Sequence, residues 1–109
     1  MEGERALEQR AKAMFMAGRV GRTFDGTVSS LVSPGFFVEL EDSMVDGMVH
    51  VSTLRDDEYR LSPDRMEWVG QYRKRRIGLG DRVRVRVRRA DPDRGEVDFL
   101  LVEKMQESP

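Results

Sequence analysis

Aromatic rings and the only histidine of this chain occur in three short, glycine-anchored segments, residues 24–28 (FDGTV), 35–40 (GFFVEL) and 47–52 (GMVHVS). Rings exposed on neighbouring strands offer flat faces on which unpaired bases stack, and each stacked base is worth about 1–3 kcal/mol. These residue types therefore predict a stacking platform for single-stranded nucleic acid. The rest of the sequence contains no comparable group of residues.

Strand periodicity predicts which rings of the platform face outward. Side chains alternate between the two faces of a strand, so Phe37 lies opposite Phe36 and Val38, and His50 lies opposite Val49. If the valine faces form the core, Phe37 and His50 emerge on the same outer surface. Phe36 is then expected in the core unless a bulge at the preceding turn exposes it. For His50 the alternative is a strand histidine bonded to a neighbouring hydroxyl.

Basic residues are concentrated between residues 73 and 89, where nine of them face a single acid, Asp81. Residues 81–88 (DRVRVRVR) alternate apolar and basic side chains at a period of two, which predicts a strand with its arginines facing outward. A local basic surface attracts phosphates even when the net charge of the chain is −1. Arg84, Arg86, Arg88 and Arg94 are the predicted phosphate contacts. Ordinary solubilising arginines on a solvated strand face are the alternative.

The elements that must position these residues are a helix followed by five strands. Helical spacing of apolar residues predicts a helix over residues 2–19, and period-two patterns predict strands over 23–31, 35–40, 47–51, 81–88 and 96–102. Residues 52–79 are predicted to form a long connection with short helical turns, held down by Leu61 and Trp68. The pattern predicts an all-β, five-stranded Greek-key barrel of the OB type, with an N-terminal helix and a long connection between strands three and four.

Size and composition limit the possible functions. A chain of 109 residues is one small domain by length, without cysteine and with one histidine, so neither disulfides, thiolate metal sites nor a zinc site are expected. No stretch approaches the roughly 20 apolar residues of a membrane span, and no cationic and apolar leader is visible. We therefore expect a cytoplasmic protein with no membrane partner. Residues 103–109 are expected to be a flexible tail.

The motifs resemble the S-one RNA-binding domain, an OB-fold module. The resemblance covers residues 22–102 and is carried by residues 24–28, 35–38, 47–52 and 80–83, with Asp91 and residues 97–99. Residues 51–54, 56–60, 69–70 and 79–81 are similar to the C-terminal S-one domain of ribonuclease R, a processive three-prime to five-prime bacterial exoribonuclease. Residues 14–17 and 20–21 resemble the last helix of that enzyme's catalytic domain. The resemblance implies that residues 1–21 end a preceding catalytic domain.

The resemblance also implies partners and contact residues. Single-stranded RNA and the catalytic domain of a parent exoribonuclease are the implied partners. This domain itself needs no cofactor, whereas magnesium is expected for the intact enzyme. The second aromatic of the family's strand-two motif falls on Phe37, the histidine of the strand-three motif on His50, and the acid after strand four on Asp91.

Two family positions differ in this chain. The aromatic residue that precedes the strand-two glycine in many relatives is Pro34 here, so Phe36 or Phe24 would have to supply the missing stacking surface. The basic residue expected in the last turn is Glu96, although Arg94 lies near enough to replace it through a shift of the turn. RNA binding is still implied, with a thinner platform and more of the binding carried by the strand-four arginines.

Three functions are considered. The first is sequence-tolerant binding of single-stranded RNA, as the substrate-holding accessory domain of an exoribonuclease. The second is catalysis, which needs clustered acids to hold metal; Asp56, Asp57 and Glu58 are the best candidates, but a solvated loop explains them better, so we expect no catalytic site in this chain. The third is a protein-interaction OB module that uses the basic strand and the acidic loop against ribosomal or helicase partners.

Overall fold

The computed structural model describes residues 2–62, 64 and 66–106, and these form one α-helix, a short 3-10 turn and eight strands. The elements are α1 (Glu2–Ala17), β1 (Thr23–Val32), β2 (Gly35–Leu40), β3 (Asp46–His50), the 3-10 turn Val51–Thr53, β4 (Tyr59–Ser62), β5 (Glu67–Gly70), β6 (Arg76–Gly78), β7 (Arg82–Asp91) and β8 (Glu96–Gln106). The predicted mostly-β architecture with one N-terminal helix is confirmed.

Five strands close into a barrel in the order β1-β2-β3-β8-β7. β3 and β8 pair in parallel, and every other neighbouring pair in the barrel is antiparallel. The predicted alternation holds because Val83, Val85 and Val87 are all buried while the arginines between them face outward. Phe36 and Phe99 fill the barrel interior with them.

The long connection contains a three-stranded sheet in the order β4-β5-β6, so the prediction of short helical turns there is wrong. These strands have only three or four residues each, too few to show a period-two pattern. The expected anchoring by Trp68 is confirmed: its indole N–H donates to the carbonyl of Gly35 at 2.8 Å, and its ring is buried. This bond ties the small sheet to the start of β2.

The last strand extends past its predicted end at Val102 to Gln106, which corrects the expected flexible tail; residues 107–109 lie outside the described part. Pairing continues because Lys104 is aligned with Val83 of β7. The Lys104 ammonium lies 3.3 Å from the carboxylate of Asp81, a largely buried ion pair that fixes this end of the strand. Strand β3 also begins and ends one residue earlier than predicted.

Helix α1 packs across β7 and β8 through Ala13 and Met16, both fully buried. It ends at Ala17, two residues before the predicted end. At the β7–β8 turn, Gly95 has a φ of +66°, and a Cβ placed there would lie 2.9 Å from the Cβ of Gln9. The absence of a side chain at Gly95 therefore lets the helix approach the barrel. No helix in the described residues is long and apolar enough to cross a membrane.

Candidate nucleic-acid interface

A single row of side chains crosses all five barrel strands. Strand register aligns Ser30 with Phe37, Phe37 with Met48, Met48 with Asp98, and Asp98 with Arg89. Residues aligned across a sheet have their side chains on the same face, about 5 Å apart. The row therefore brings a ring, a thioether, a carboxylate and a guanidinium together on the outer surface of the barrel.

Two β-bulges shape the ends of this row. In β7 the register shifts between Val87 and Arg89, so Arg88 is the extra residue. Strict alternation after Val87 would turn Arg89 into the core, but the bulge directs it outward. In β1 a similar shift leaves Ser29 as the extra residue beside Ser30. Bulges of this kind often re-aim side chains beside functional sites.

A cleft of about 500 Å³ lies over the row. His50, two residues along β3 from Met48, joins Phe37 on its floor. Gln9 of α1 and Glu96 of the β7–β8 turn form one wall. The cleft is thus bounded by the barrel surface, by a helix and by a turn, which is the shape needed to hold an unpaired nucleotide chain.

The charges in the cleft are mixed. Arg89 is its only lining base, whereas Asp46, Glu96 and Asp98 are acidic. The Arg89 guanidinium lies 3.0 Å from the Asp98 carboxylate, yet its side chain remains 68% exposed. An exposed pair of this kind contributes at most about 1 kcal/mol, so a phosphate can compete for the arginine. Affinity in this cleft must therefore come more from ring stacking and hydrogen bonds than from bulk charge.

The structure separates the predicted aromatic contacts. Phe37 and His50 are half-buried and line the same cleft, as the strand parity predicts. Phe36 is fully buried between Leu31 and Val49, so its prediction as an RNA contact is wrong. Phe24 is half-buried, packs against the core and borders a different depression. Neither ring replaces the aromatic residue lost at position 34.

The predicted strand arginines lie outside the cleft. Arg84 donates to the carboxylate of Asp25 at 2.9 Å, and this hydrogen bond lowers the pKa of Asp25 and raises that of Arg84. Arg86 and Arg88 are exposed on the barrel surface, but neither is among the residues that line the cleft. Their role as phosphate contacts stays a prediction.

Asp91 has a local structural role that sequence reasoning did not anticipate. Its carboxylate accepts hydrogen bonds from the backbone N–H groups of Asp93 at 3.1 Å and Arg94 at 3.3 Å, which closes the β7–β8 turn. Arg94 itself is 76% exposed and lies outside the cleft. The base that reaches the cleft is Arg89, which the alternation rule missed because of the bulge. Met48 was also missed, since parity alone marks it as an ordinary outward residue.

The candidate catalytic acids organise their own loop. Asp57 accepts hydrogen bonds from the backbone N–H groups of Arg73 at 2.6 Å and Tyr72 at 3.0 Å. Burial raises the pKa of Asp57, but these hydrogen bonds outweigh it and leave the pKa below its usual range. Asp56 accepts a hydrogen bond from the hydroxyl of Tyr59 at 2.9 Å. Across residues 2–62, 64 and 66–106 there is no cluster of acids and histidine that could hold a metal ion.

Comparison with known proteins identifies relatives of this chain. The family described as S1 RNA binding domain, the S-one domain, matches residues 19–101. Ribonuclease R of Aquifex aeolicus is 40% identical over 105 residues, which is 96% of this chain and 15% of that protein. Ribonuclease R of Escherichia coli is 40% identical over 101 residues, 93% of this chain and 12% of that protein. The chain therefore spans less than a sixth of the length of these relatives.

Solved structures share the fold. Apo RNase R of Mycoplasma genitalium superposes with a TM-score of 0.85 at 22% identity, covering 91% of this chain and 15% of that one. The same enzyme in complex with ribose methylated single-stranded RNA matches equally well. The helix, the barrel and the cleft thus occur in a chain whose sequence motifs and family match agree, and the protein belongs to the S1 RNA binding domain family.

Proposed function

We propose that this domain binds single-stranded RNA in the cleft with little preference for base identity, and that it holds substrate for a larger three-prime to five-prime exoribonuclease. The observation that carries the proposal is the cross-strand row, which places Phe37 and His50 on the floor of one cleft with Arg89 at its edge. Every base has a π-face, so stacking on two rings tolerates any sequence.

The polar groups of the cleft suit the RNA backbone. Arg89 can contact a phosphate, because its guanidinium keeps donors that Asp98 does not occupy. Asp98 and the hydroxyl of Ser30 can accept or donate hydrogen bonds to a ribose 2′-hydroxyl, the group that distinguishes RNA from DNA. These contacts orient the strand, while the rings contribute most of the affinity.

The larger enzyme is inferred from the relatives and from helix α1. Ribonuclease R proteins match nearly all of this chain, which is only 12–15% of their length. On α1, Leu7 and Met14 are 67% and 66% exposed while the other face of the helix packs on the barrel. This exposed apolar face supports the proposal that residues 1–21 end a preceding catalytic domain. Catalysis, magnesium and a cytoplasmic location would belong to that enzyme.

The protein-interaction alternative fits the geometry less well. It needs the outward arginines of β7 to be available to a partner, but Arg82 lies 2.6 Å from Glu41 and Arg84 lies 2.9 Å from Asp25. These two arginines are already neutralised by acids of the same molecule. The basic strand is therefore less basic as a surface than it is as a sequence.

A titration with labelled oligo-RNA at two salt concentrations tests the proposal. We expect saturable binding at low salt, with a dissociation constant in the micromolar range or above. The double variant Phe37→Ala/His50→Ala should lose at least about tenfold in affinity, since each stacked base is worth about 1–3 kcal/mol. Circular dichroism should show an unchanged fold, because both side chains lie on the surface of the barrel.

The matched control is Phe15→Ala, which removes a phenylalanine that is 43% exposed on α1 and outside the cleft. It should bind RNA as the wild type does. Incubation of the chain with RNA and magnesium should leave the RNA at full length. The proposal fails if the wild type shows no saturable binding at low salt, or if the double variant binds normally.

A further inference from the structure

The turn between β5 and β6 projects an aromatic ring among cations. Tyr72 is 72% exposed, the most exposed large hydrophobic residue among those described. It is followed directly by four basic residues, Arg73, Lys74, Arg75 and Arg76. An aromatic ring beside several cations is the combination by which proteins bind single-stranded nucleic acid, through base stacking and phosphate attraction.

Two of these cations have no intramolecular partner among the described residues. Arg75 lies 3.2 Å from the carboxylate of Asp56, and Arg76 lies 3.8 Å from that of Glu67. Arg73 and Lys74 form no ion pair with any residue that the structure describes, and both are exposed. The two cations nearest the ring are therefore available for a ligand.

The turn is held rigidly by the loop that precedes β4. Asp57 accepts hydrogen bonds from the backbone N–H groups of Tyr72 and Arg73, and the N–H of Gln71 donates to the carbonyl of Glu58 at 2.7 Å. A Cβ at Gly70 would lie 2.5 Å from the carboxylate of Asp57, so glycine permits this close approach. A ring presented on a fixed backbone loses less conformational entropy when it binds.

Lys74 occupies a backbone position that favours glycine. Its φ is 61°, in the left-handed region that glycine enters without steric cost. A lysine at this position adds charge at the tip of the turn and strain to its backbone. Nothing else in the described part of the turn needs that charge.

The turn lies within reach of the cleft. Trp68 bonds to the carbonyl of Gly35, and Gly35 is aligned with His50 on the cleft floor. From Trp68 to Tyr72 the chain advances about 13 Å at about 3.3 Å per residue. OB-fold sites cover about 4–16 nucleotides, so a strand that begins at His50 can extend over this distance.

We propose that the β5–β6 turn is a second contact site for the same RNA strand, in which the ring of Tyr72 stacks on a base and Arg73 and Lys74 bind the adjoining phosphates. The proposal rests on the proposed function of the cleft. It adds a contact outside the barrel that lengthens the bound segment. The small sheet β4–β6 then serves as the support for this contact.

The test compares RNA of two lengths, about 4 and about 12 nucleotides, the low and the upper part of the OB-fold range. Tyr72→Ala should leave the affinity for the short RNA within twofold and lower that for the long RNA about five- to tenfold. Lys74→Gly should weaken binding of the long RNA while keeping the fold, because glycine relieves the strained backbone. Phe37→Ala should weaken binding of both lengths.

The charge-matched control compares Arg73→Gln/Lys74→Gln with Arg86→Gln/Arg88→Gln, which removes the same charge elsewhere. The turn variant should lose more affinity for the long RNA and reduce the salt dependence by about two phosphate contacts. Equal losses from the two pairs, or equal effects of Tyr72→Ala on both lengths, would overturn the second site while leaving the cleft intact. If the wild type binds neither RNA, both proposals fail.

Discussion

The cleft and the arginine strip, defined here as Arg82, Arg84 and Arg86 on the outer face of β7, differ in how they use their side chains. The strip looks basic in sequence, but Glu41 and Asp25 neutralise two of its three members. The cleft has one base and three acids along its lining, yet it combines two rings with a guanidinium that remains 68% exposed. Charge density along a sequence is therefore a poor guide to charge available on a surface. What distinguishes the cleft is assembly across strands.

The largest effect is expected where helix α1 meets the β7–β8 turn beside the cleft. Gly95→Ala adds a Cβ at 2.9 Å from that of Gln9, at a position with φ of +66°. Backbone strain of about 1–2 kcal/mol and the steric clash together should lower the free energy of unfolding by about 2–3 kcal/mol in urea denaturation.

Gly21→Ala is the matched control, because Gly21 has a φ of +90° but no atom within 4 Å of its added Cβ. It should show the strain alone, about 1–2 kcal/mol. RNA affinity should fall in the Gly95 variant and not in the Gly21 variant. Equal losses of stability would show that the helix does not press on the turn, and the cleft would then lack its proposed wall.

The next effect separates the cleft from the strip directly. Arg89→Gln should lower RNA affinity about tenfold, or about 1.4 kcal/mol, because it removes the cleft's only base. Arg86→Gln should change affinity less than twofold, since Arg86 is exposed and lies outside the cleft. Fluorescence titrations at two salt concentrations would measure both. A larger loss at position 86 would restore the strip as the main phosphate contact.

The barrel could be predicted from the sequence because its strands are long enough to show alternation. Residues 82–88 repeat apolar and basic side chains without interruption, and Phe37 was placed on the outer face by the same rule. The small sheet could not be predicted, since β6 has three residues and β4 and β5 have four. Short strands form through pairing with distant partners, as when Trp68 bonds to Gly35.

The cleft was only half predicted, for a specific physical reason. Alternation rules assume an unbroken ladder, and the β7 bulge adds Arg88 and changes the direction of every later side chain. Arg89 therefore reached the cleft while Arg84 and Arg86, the more obvious candidates, did not. Neither the parallel pairing of β3 with β8 nor the approach of Gln9 leaves a local signal in sequence.

The smallest effect concerns the strip's ion pair and its dependence on pH. The hydrogen bond from Arg84 holds the pKa of Asp25 below its ordinary value. A lowered folded-state pKa stabilises the protein above the unfolded value of about 3.9, and this contribution disappears as the pH falls through the folded pKa. Asp25→Asn should therefore lower the free energy of unfolding at pH 7 by less than about 1 kcal/mol, because both side chains are at least one-third exposed.

Urea denaturation at pH 7 and near pH 3 would measure this contribution. The stability gap between the wild type and Asp25→Asn should shrink at the lower pH, and Arg84→Gln should remove the pH dependence of that gap because it removes the donor. RNA affinity at pH 7 should be the same in all three proteins, since neither residue lines the cleft. A gap that stays constant with pH would mean that Asp25 does not neutralise Arg84 in solution. In that case the strip would be free to bind phosphates, and the contrast with the cleft would rest on the rings alone.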